Sequence, residues 1–298
     1  MDTRDIVALV TGANRGIGRA IVQQLLARGA KHVYAASRTP LGSDEARNLT
    51  ELRLDVTKPP MIEQAAARCA DVNVLINNAG VLLGQSLLAA PSHDAAEAEM
   101  RVNYFGTLHM CRAFAPVLAH NGGGAIVNVL SILARVNLPA VGSYSASKAA
   151  ALSLTQGIRG ELAAQGTLVI GVMPAFVDTA MASRVTLPKL PPQAVAEAIL
   201  TALRDGVEDV YPGHAAEIAA ELQKDGKAVE RQFARMVPLR HGVRDERAPL
   251  LTRSQKPGRW RGRWPPRPSP ITAWSAAPSV ERPAGESTER SRGQERSR

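Results

Sequence analysis

Tyr144 and Lys148 stand four residues apart at the end of the run Ser131-Ile-Leu-Ala-Arg-Val-Asn-Leu-Pro-Ala-Val-Gly-Ser-Tyr-Ser-Ala-Ser-Lys148. On a helix that spacing puts both side chains on one face, one turn apart. A free phenol has a pKa of about 10, too high to release a proton near neutral pH. An ammonium one turn away favours the phenolate and is expected to lower that value. A phenol tuned in this way serves as general acid or base toward a carbonyl or hydroxyl, and Ser131 is expected to hold the same oxygen. Taken alone, Tyr-x-x-x-Lys also describes many amphipathic helix faces. Its meaning therefore depends on the elements that position it.

Those elements alternate between apolar runs and helical patterns. Ala125–Leu130 reads as a strand that delivers Ser131 at its end, and a loop with Pro139 and Gly142 leads into an Ala-rich helix over 143–164. Upstream, Ile6–Val10 is a continuous apolar run of the kind a parallel strand covered on both faces requires. Further strands are predicted over 32–36, 52–54, 72–76, 168–173 and 209–213, with only a short helix between 41 and 51. Helices are predicted from Met61 to Cys69, from Ala95 to Leu118, from Pro191 to about Leu203, and from His214 to Met236 with a break at Gly226. Alternating strands and helices imply a doubly wound α/β domain with a mostly parallel sheet of about seven strands.

The first strand runs into Thr11-Gly12-Ala13-Asn14-Arg15-Gly16-Ile17-Gly18, and a helical pattern with Ile21, Leu25 and Leu26 follows, stopping at Gly29. Gly12 permits a sharp turn, Gly16 and Gly18 permit close approach of backbone and ligand, and the helix N-terminus faces an anionic pyrophosphate. The second strand ends in Ser37-Arg38-Thr39 with no acidic residue. An acid at this point would bind a ribose 2′-hydroxyl, whereas an Arg accommodates a 2′-phosphate. Ser37, Arg38 and Arg15 therefore favour NADP(H), with NAD(H) as the alternative. Asp55, at the end of the third strand, either holds the adenine edge or caps the next helix.

Thr11-Gly-x-x-x-Gly-x-Gly18, Asn77-Asn-Ala-Gly80, Asn103, Ser131 and Tyr144-x-x-x-Lys148 occur in that order. The ordered set, over about residues 5–212, resembles the short-chain dehydrogenase/reductase family. The resemblance implies a Rossmann-type fold and hydride transfer between a nicotinamide cofactor and a small carbonyl or alcohol. It implies that Tyr144 is the proton donor or acceptor, that Lys148 tunes it and binds the nicotinamide ribose, and that Ser131 positions the substrate oxygen. Asn103 would hold a water in a proton relay from Lys148. The cofactor-binding positions so implied are Gly12, Asn14, Arg15, Gly16, Ile17, Gly18, Ser37, Arg38, Asp55, Val56, Asn77, Ala79, Gly80, Tyr144, Lys148, Pro174, Val177 and Thr179. The family usually has Pro-Gly where this chain has Pro174-Ala175. The segment 180–190 is expected to be a short, mostly apolar substrate loop, in which Arg184 and Lys189 either meet an anionic substrate or stay solvated. The family further implies a homodimer or homotetramer through the small-residue helix. The competing function is an NADP-binding regulatory or sensor protein without turnover.

Composition sets the remaining bounds. The chain has 298 residues, 36 Lys and Arg, and 27 Asp and Glu. Residues 239–298 hold 14 of those cations against 6 acids, and residues 1–238 hold 22 against 21, so the basic character belongs to the end of the chain. All three Trp residues lie there, at 260, 264 and 274, among many Arg, Pro and Ser and without any period. The division expected is a cofactor and catalytic domain over 1–238 and a disordered tail over 239–298. Trp260-Arg-Gly-Arg-Trp264 offers rings and cations suited to single-stranded nucleic acid, but no folded nucleic-acid motif accompanies it. Two cysteines, Cys69 and Cys111, fit no metal spacing, so no metal is expected. With no long apolar run and no leader-like N-terminus, a cytoplasmic, non-membrane protein is expected.

Overall fold

The structure is a computed structural model that describes residues 1–39, 46–183 and 185–236. The described residues form one seven-stranded parallel sheet with helices on both faces. The strands are β1 (Val7–Thr11), β2 (His32–Ser37), β3 (Leu49–Arg53), β4 (Val74–Asn77), β5 (Ala125–Val129), β6 (Leu168–Val172) and β7 (Asp209–Val210). Their order in the sheet is β3-β2-β1-β4-β5-β6-β7. Every residue of β1, β4 and β5 is buried, which is why these strands read as unbroken apolar runs rather than as alternation. The order reverses between β1 and β4. In such sheets the crevice beyond the carboxyl ends at this point is where ligands bind.

One layer consists of α1 (Gly16–Ala27) and α6 (Pro192–Asp205), packed on each other. Its core joins Ile21, Val22 and Leu25 of α1 to Val195, Ile199 and Leu203 of α6 across Val10 and Ile76. The other layer holds α2 (Pro59–Arg68), α3 (Asp94–Met100), α4 (Thr107–His120) and α5 (Gly142–Leu162). Ile62, Met110, Phe114, Leu118 and Ile158 pack there against Leu9, Leu75 and Ile126. Fully burying side chains of this size stabilises by about 1.5–3 kcal/mol each. The last helix, α7 (Ala215–Ala234), packs over the turn that follows β5.

The helix ends follow local chemistry. Gly29 lies at φ 77° and Gly206 at φ 72°, where each terminates its helix in the left-handed region. Prolines occupy the first turns of α2 and α6, where no backbone N–H is needed.

Three expectations require correction. Residues 40–45, within the predicted short helix, lie outside the described residues, and Leu49–Arg53 is an edge strand beginning earlier than the expected 52–54. Pairing with β2, from Val33 opposite Leu49 to Ser37 opposite Arg53, decides this, and an edge position tolerates Thr50, Glu51 and Arg53. The single helix expected over 95–118 is α3 and α4 joined by a π-helical turn, Arg101–Gly106. The break in α7 falls at Asp225 (φ −151°, ψ 82°) rather than at Gly226, because the Asp225 carboxylate accepts the Ala228 N–H at 2.9 Å and caps the second half-helix. The expected tail over 239–298 lies outside the described residues.

Candidate active site

The chain turns sharply as it leaves β5. Ser131 is extended there, and its hydroxyl oxygen accepts the Leu133 N–H at 3.1 Å, capping a short 3-10 turn over Ile132–Ala134. The Ile132 N–H donates to Pro174 O at 2.9 Å, so the ends of β5 and β6 are tied together. The first turns of α5 then bring Tyr144 back toward Ser131, whose hydroxyl favours the ionised phenol. Tyr144, Ser131 and Lys148 are all buried.

Lys148 donates to Val129 O at 2.8 Å, and its ammonium stands 5.8 Å from the centroid of the Tyr144 ring. Burial brings the Lys148 ammonium down to about 8. Burial likewise pushes the Tyr144 phenol above its ordinary value; the Ser131 hydroxyl draws it back and Glu99 raises it further. The expected lowering by Lys148 is therefore not met. Loss of solvation around a buried phenolate outweighs a cation that is itself desolvated and turned toward a carbonyl.

Asn103 sits inside the π-turn and is fully engaged. Its Oδ1 accepts the Val81 N–H at 2.9 Å, and its Nδ2 donates to Val81 O and to Ser147 Oγ, each at 2.9 Å. Gly80 lies between these groups: a Cβ there would stand 3.2 Å from Asn103 Oδ1 and 3.6 Å from Lys148 Nζ. Single-turn π-helices recur at functional sites because the extra residue re-aims side chains along a helix.

The glycine turn shows what it is shaped for. Gly12 and Gly16 have φ of 64° and 56°, conformations L side chains rarely adopt. A Cβ on Gly18 would lie 2.2 Å from Gly12 O and 2.5 Å from Asn78 Nδ2, so strand turn and helix meet with no room between. A Cβ on Gly16 would meet Thr179 at 3.1 Å. At the first turn of α1 no side chain caps the backbone N–H groups and no acid lies within that turn, which leaves them open to an anion. Arg15 and Arg38 are exposed beside this turn. Asn14 donates to Thr39 Oγ1 at 2.8 Å, and Ser37 Oγ donates to Thr39 O. Ile17 packs on the α1–α6 core. These residues fit the diphosphate of a dinucleotide.

Asp55 does not cap α2. Its Oδ1 accepts the Thr57 N–H at 2.9 Å and the Thr57 hydroxyl at 2.8 Å, while the N-cap position is Lys58. Burial pushes this carboxyl up, but the Thr57 bonds and the charges of Arg38 and Lys58 leave it below the usual range. Val56 is buried, and a Cβ on Gly106 would come within 2.8 Å of it. Val177 is buried and bridges Leu190, and Thr179 Oγ1 donates to Val177 O at 3.4 Å. Lys189 is paired with Asp178 at 3.2 Å, and Arg184 lies outside the described residues.

Sequence reasoning named Thr11 and Asn77-Asn78 as motif residues but missed the bonds by which they lock this arrangement. Thr11 Oγ1 accepts the N–H groups of Asn78 and Ala79, each at 3.0 Å, and Asn78 Nδ2 donates to Thr11 O at 2.9 Å. The Asn77 amide is spent on the interior: it donates to Asn128 Oδ1 at 2.9 Å, and Asn128 in turn donates to Thr155 Oγ1 at 2.9 Å. Ser147 was passed over as a small helix residue. Glu99 was passed over as well. Its signal was present, since Glu99, Asn103, Thr107 and Cys111 form one i, i+4 row of buried positions.

The short chain dehydrogenase family profile matches residues 6–189. The chain belongs to the short-chain dehydrogenase family. A short-chain dehydrogenase from Burkholderia cenocepacia, solved in complex with NADP, is 46% identical; the match covers 80% of this chain and 100% of that one at a TM-score of 0.76. A short-chain dehydrogenase/reductase from Burkholderia phymatum, solved with NAD, is 25% identical over 80% of this chain and 99% of that one, at a TM-score of 0.69. An uncharacterised oxidoreductase of Staphylococcus saprophyticus is 32% identical over 219 residues, which is 68% of this chain and 93% of the relative. The residues above gather beyond the carboxyl ends of the parallel strands. Among the described residues no cluster of His, Cys, Asp or Glu could hold a metal, and no helix is long and apolar enough to cross a membrane.

Proposed function

We propose that this short-chain dehydrogenase is an NADP(H)-dependent oxidoreductase that acts on a small carbonyl or alcohol with Tyr144 as acid and base. The observation that carries the reading is the burial of Ser131, Tyr144 and Lys148 together beyond the end of β5, with the Lys148 ammonium 5.8 Å from the centroid of the Tyr144 ring. When bound, the cofactor supplies the hydride. The chain's own residues align the substrate and manage the proton. Ser131 holds the substrate oxygen. Tyr144 gives its proton to that oxygen in reduction and takes one back in oxidation. A phenol held above its ordinary value is protonated at neutral pH, which suits the reducing direction. Lys148 keeps a positive charge close to the developing oxyanion. Asn103 holds the Val81 segment and the Ser147 side of α5, and so the alignment of both groups.

Gly12, Asn14, Arg15, Gly16, Ile17 and Gly18 would hold the diphosphate. Ser37, Arg38 and Arg15 would hold the ribose 2′-phosphate, and Asp55 with Val56 the adenine. Asn77, Ala79 and Gly80 would support the middle of the cofactor, and Pro174, Val177 and Thr179 its carboxamide end. The bound NADP of the Burkholderia cenocepacia relative supports this preference. Tyr144 packs among Leu133, Val136, Ile218 and Phe233, so the substrate class is expected to be apolar around its carbonyl. A groove lined by Tyr104, Ala150, Ser153, Leu154 and Gly157 supports association with a second copy through α5.

The test is NADPH against NADH binding, followed by NADPH oxidation with a panel of aldehydes, ketones and quinones. Tyr144→Phe is expected to keep NADPH affinity and to lose turnover by roughly a thousandfold. Turnover that survives this substitution removes Tyr144 from the chemistry. Tight binding with no turnover on any substrate returns the protein to a sensor.

A further inference from the structure

Helix α5 enters the site with buried serines at alternate positions, Ser143, Ser145 and Ser147, around Tyr144 and Lys148. A buried hydroxyl is costly unless its hydrogen-bonding capacity is used. Each of these reaches a different neighbour. Ser143 Oγ donates to Gln85 O at 3.3 Å, on the segment after β4. Ser145 Oγ donates to Val141 O at 3.2 Å and accepts the Leu138 N–H at 3.3 Å. Ser147, which has no exposure to solvent, makes the shortest bonds of the three: Oγ accepts from Asn103 Nδ2 at 2.9 Å and donates to Tyr144 O at 2.7 Å. Asn103 spends the rest of its amide on both backbone groups of Val81. A continuous chain of hydrogen bonds therefore runs from the segment after β4, through the π-turn, to the main-chain carbonyl of Tyr144. Bonds arranged head to tail in this way strengthen one another.

We propose that Ser147 is a positioning residue that acts through Tyr144: its hydroxyl latches α5 to the Asn103 turn and so fixes where the Tyr144 ring stands in the site. This rests on the assignment of Tyr144 as acid and base. The next residue, Lys148, leaves the helix in another direction and donates to Val129 O at 2.8 Å. The start of α5 is thus fastened on two sides, to β5 by Lys148 and to the π-turn by Ser147. Loss of the Ser147 bonds releases one fastening and lets the helix turn about its axis, which carries the phenol away from the oxygen it must reach. A proton donor works only within hydrogen-bond reach, and a misplacement of about 1 Å costs up to about a hundredfold in rate. The same helix supplies a comparison. Thr155, about two turns further on and equally buried, accepts from Asn128 Nδ2 at 2.9 Å and donates to Ala151 O at 2.7 Å. Its pattern of bonds matches that of Ser147, but its acceptor is Ala151 and not Tyr144.

The experiment uses the full-length, cofactor-free protein with carbon-13 in its tyrosine rings. The chain has four tyrosines, and the NMR signal of the Tyr144 ring is the one lost in Tyr144→Phe. In Ser147→Ala that signal is expected to shift or split. With NADPH and whichever carbonyl of the panel the wild type reduces fastest, Ser147→Ala is expected to lose about tenfold in kcat and to keep NADPH affinity within about twofold. Thr155→Val removes the same two kinds of bond, so it is expected to lower the melting temperature while leaving the Tyr144 signal in place and kcat within about twofold. Ser147→Cys keeps the size and a weak acceptor, is expected to fall between the wild type and Ser147→Ala, and decides by the same ring signal if Ser147→Ala does not fold. A Tyr144 signal that stays at its wild-type position in the Ser147 variants overturns the proposal, as does an equal loss of kcat in Thr155→Val. A displaced ring signal with turnover that survives Tyr144→Phe upholds the latch and defeats the assignment of Tyr144, so the two failures are told apart.

Discussion

Lys148 shows how burial alone changes the character of a side chain. Its stem crosses the interior between α5 and β5, and its ammonium has one bond, to Val129 O. Loss of hydration brings it down to about 8 from an unfolded value of 10.5. Between those two values the unfolded chain binds more protons than the folded one, so stability rises with pH across that window. The contribution is complete above the unfolded value and is lost as pH falls through the folded one. The melting temperature of the cofactor-free wild type, measured against Lys148→Met, is therefore expected to climb from pH 8 to pH 10.5. A constant difference would mean that Lys148 is hydrated. The cysteines behave in the opposite sense: burial pushes the Cys69 and Cys111 thiols up to about 12, so both stay protonated and inert.

Glycine chemistry is best judged one element at a time. In the turn between β1 and α1, Gly18 faces a backbone carbonyl and an amide that is itself held in place by Thr11. Gly18→Ala must displace one of them, so it is expected to weaken NADPH binding by at least about tenfold, or about 1.4 kcal/mol. Fluorescence titration with NADPH measures this. Gly160, exposed in the last turn of α5, has nothing within 4 Å of the position a Cβ would take. Gly160→Ala is expected to stabilise the helix by about 0.5–1 kcal/mol in urea unfolding, since it removes only the backbone freedom of glycine. The π-turn in the helix that precedes β5 is the other decisive local feature. It places Asn103 against Val81 and Ser147 at once and leaves Gly106 flush against Val56.

At the scale of the molecule, a fully parallel sheet covered on both faces brings its chemistry to one rim. The described residues all fall within one compact unit, Met1–Gly242. Both large cores, the α1–α6 face and the α2–α4–α5 face, lie within it. We expect residues 239–298 to be dispensable for the fold and for turnover, given their composition. A chain truncated after Pro238 is expected to melt within about 1–2 °C of the full-length protein and to bind NADPH equally well; a ΔΔG of 1 kcal/mol would move a domain of this size by about 2–4 °C. A larger fall would give the C-terminal segment a structural role.

The sequence by itself determined the layers, the parallel sheet and most of the rim. Buried parallel strands must be largely apolar, with polar side chains such as Asn77 and Asn128 bonded in the interior, and a turn that needs positive φ or close approach must be glycine, so both leave marks along the chain. Ser131, Tyr144 and Lys148 could be picked out by residue type and helical spacing, and the fold buries all three, with Lys148 beside Tyr144. Tertiary structure alone decided the rest. Leu49–Arg53 is a strand because β2 offers it a partner, and Asp225 rather than Gly226 breaks α7 because its carboxylate reaches Ala228. A π-turn has no period of its own that a pattern could reveal. The proton affinities of Tyr144 and Lys148 depend on how much water the fold excludes, and burial reversed the direction expected for the phenol. Asn103 reaches Ser147 only because the π-turn packs on α5, a hydrogen bond between residues 44 apart in the chain.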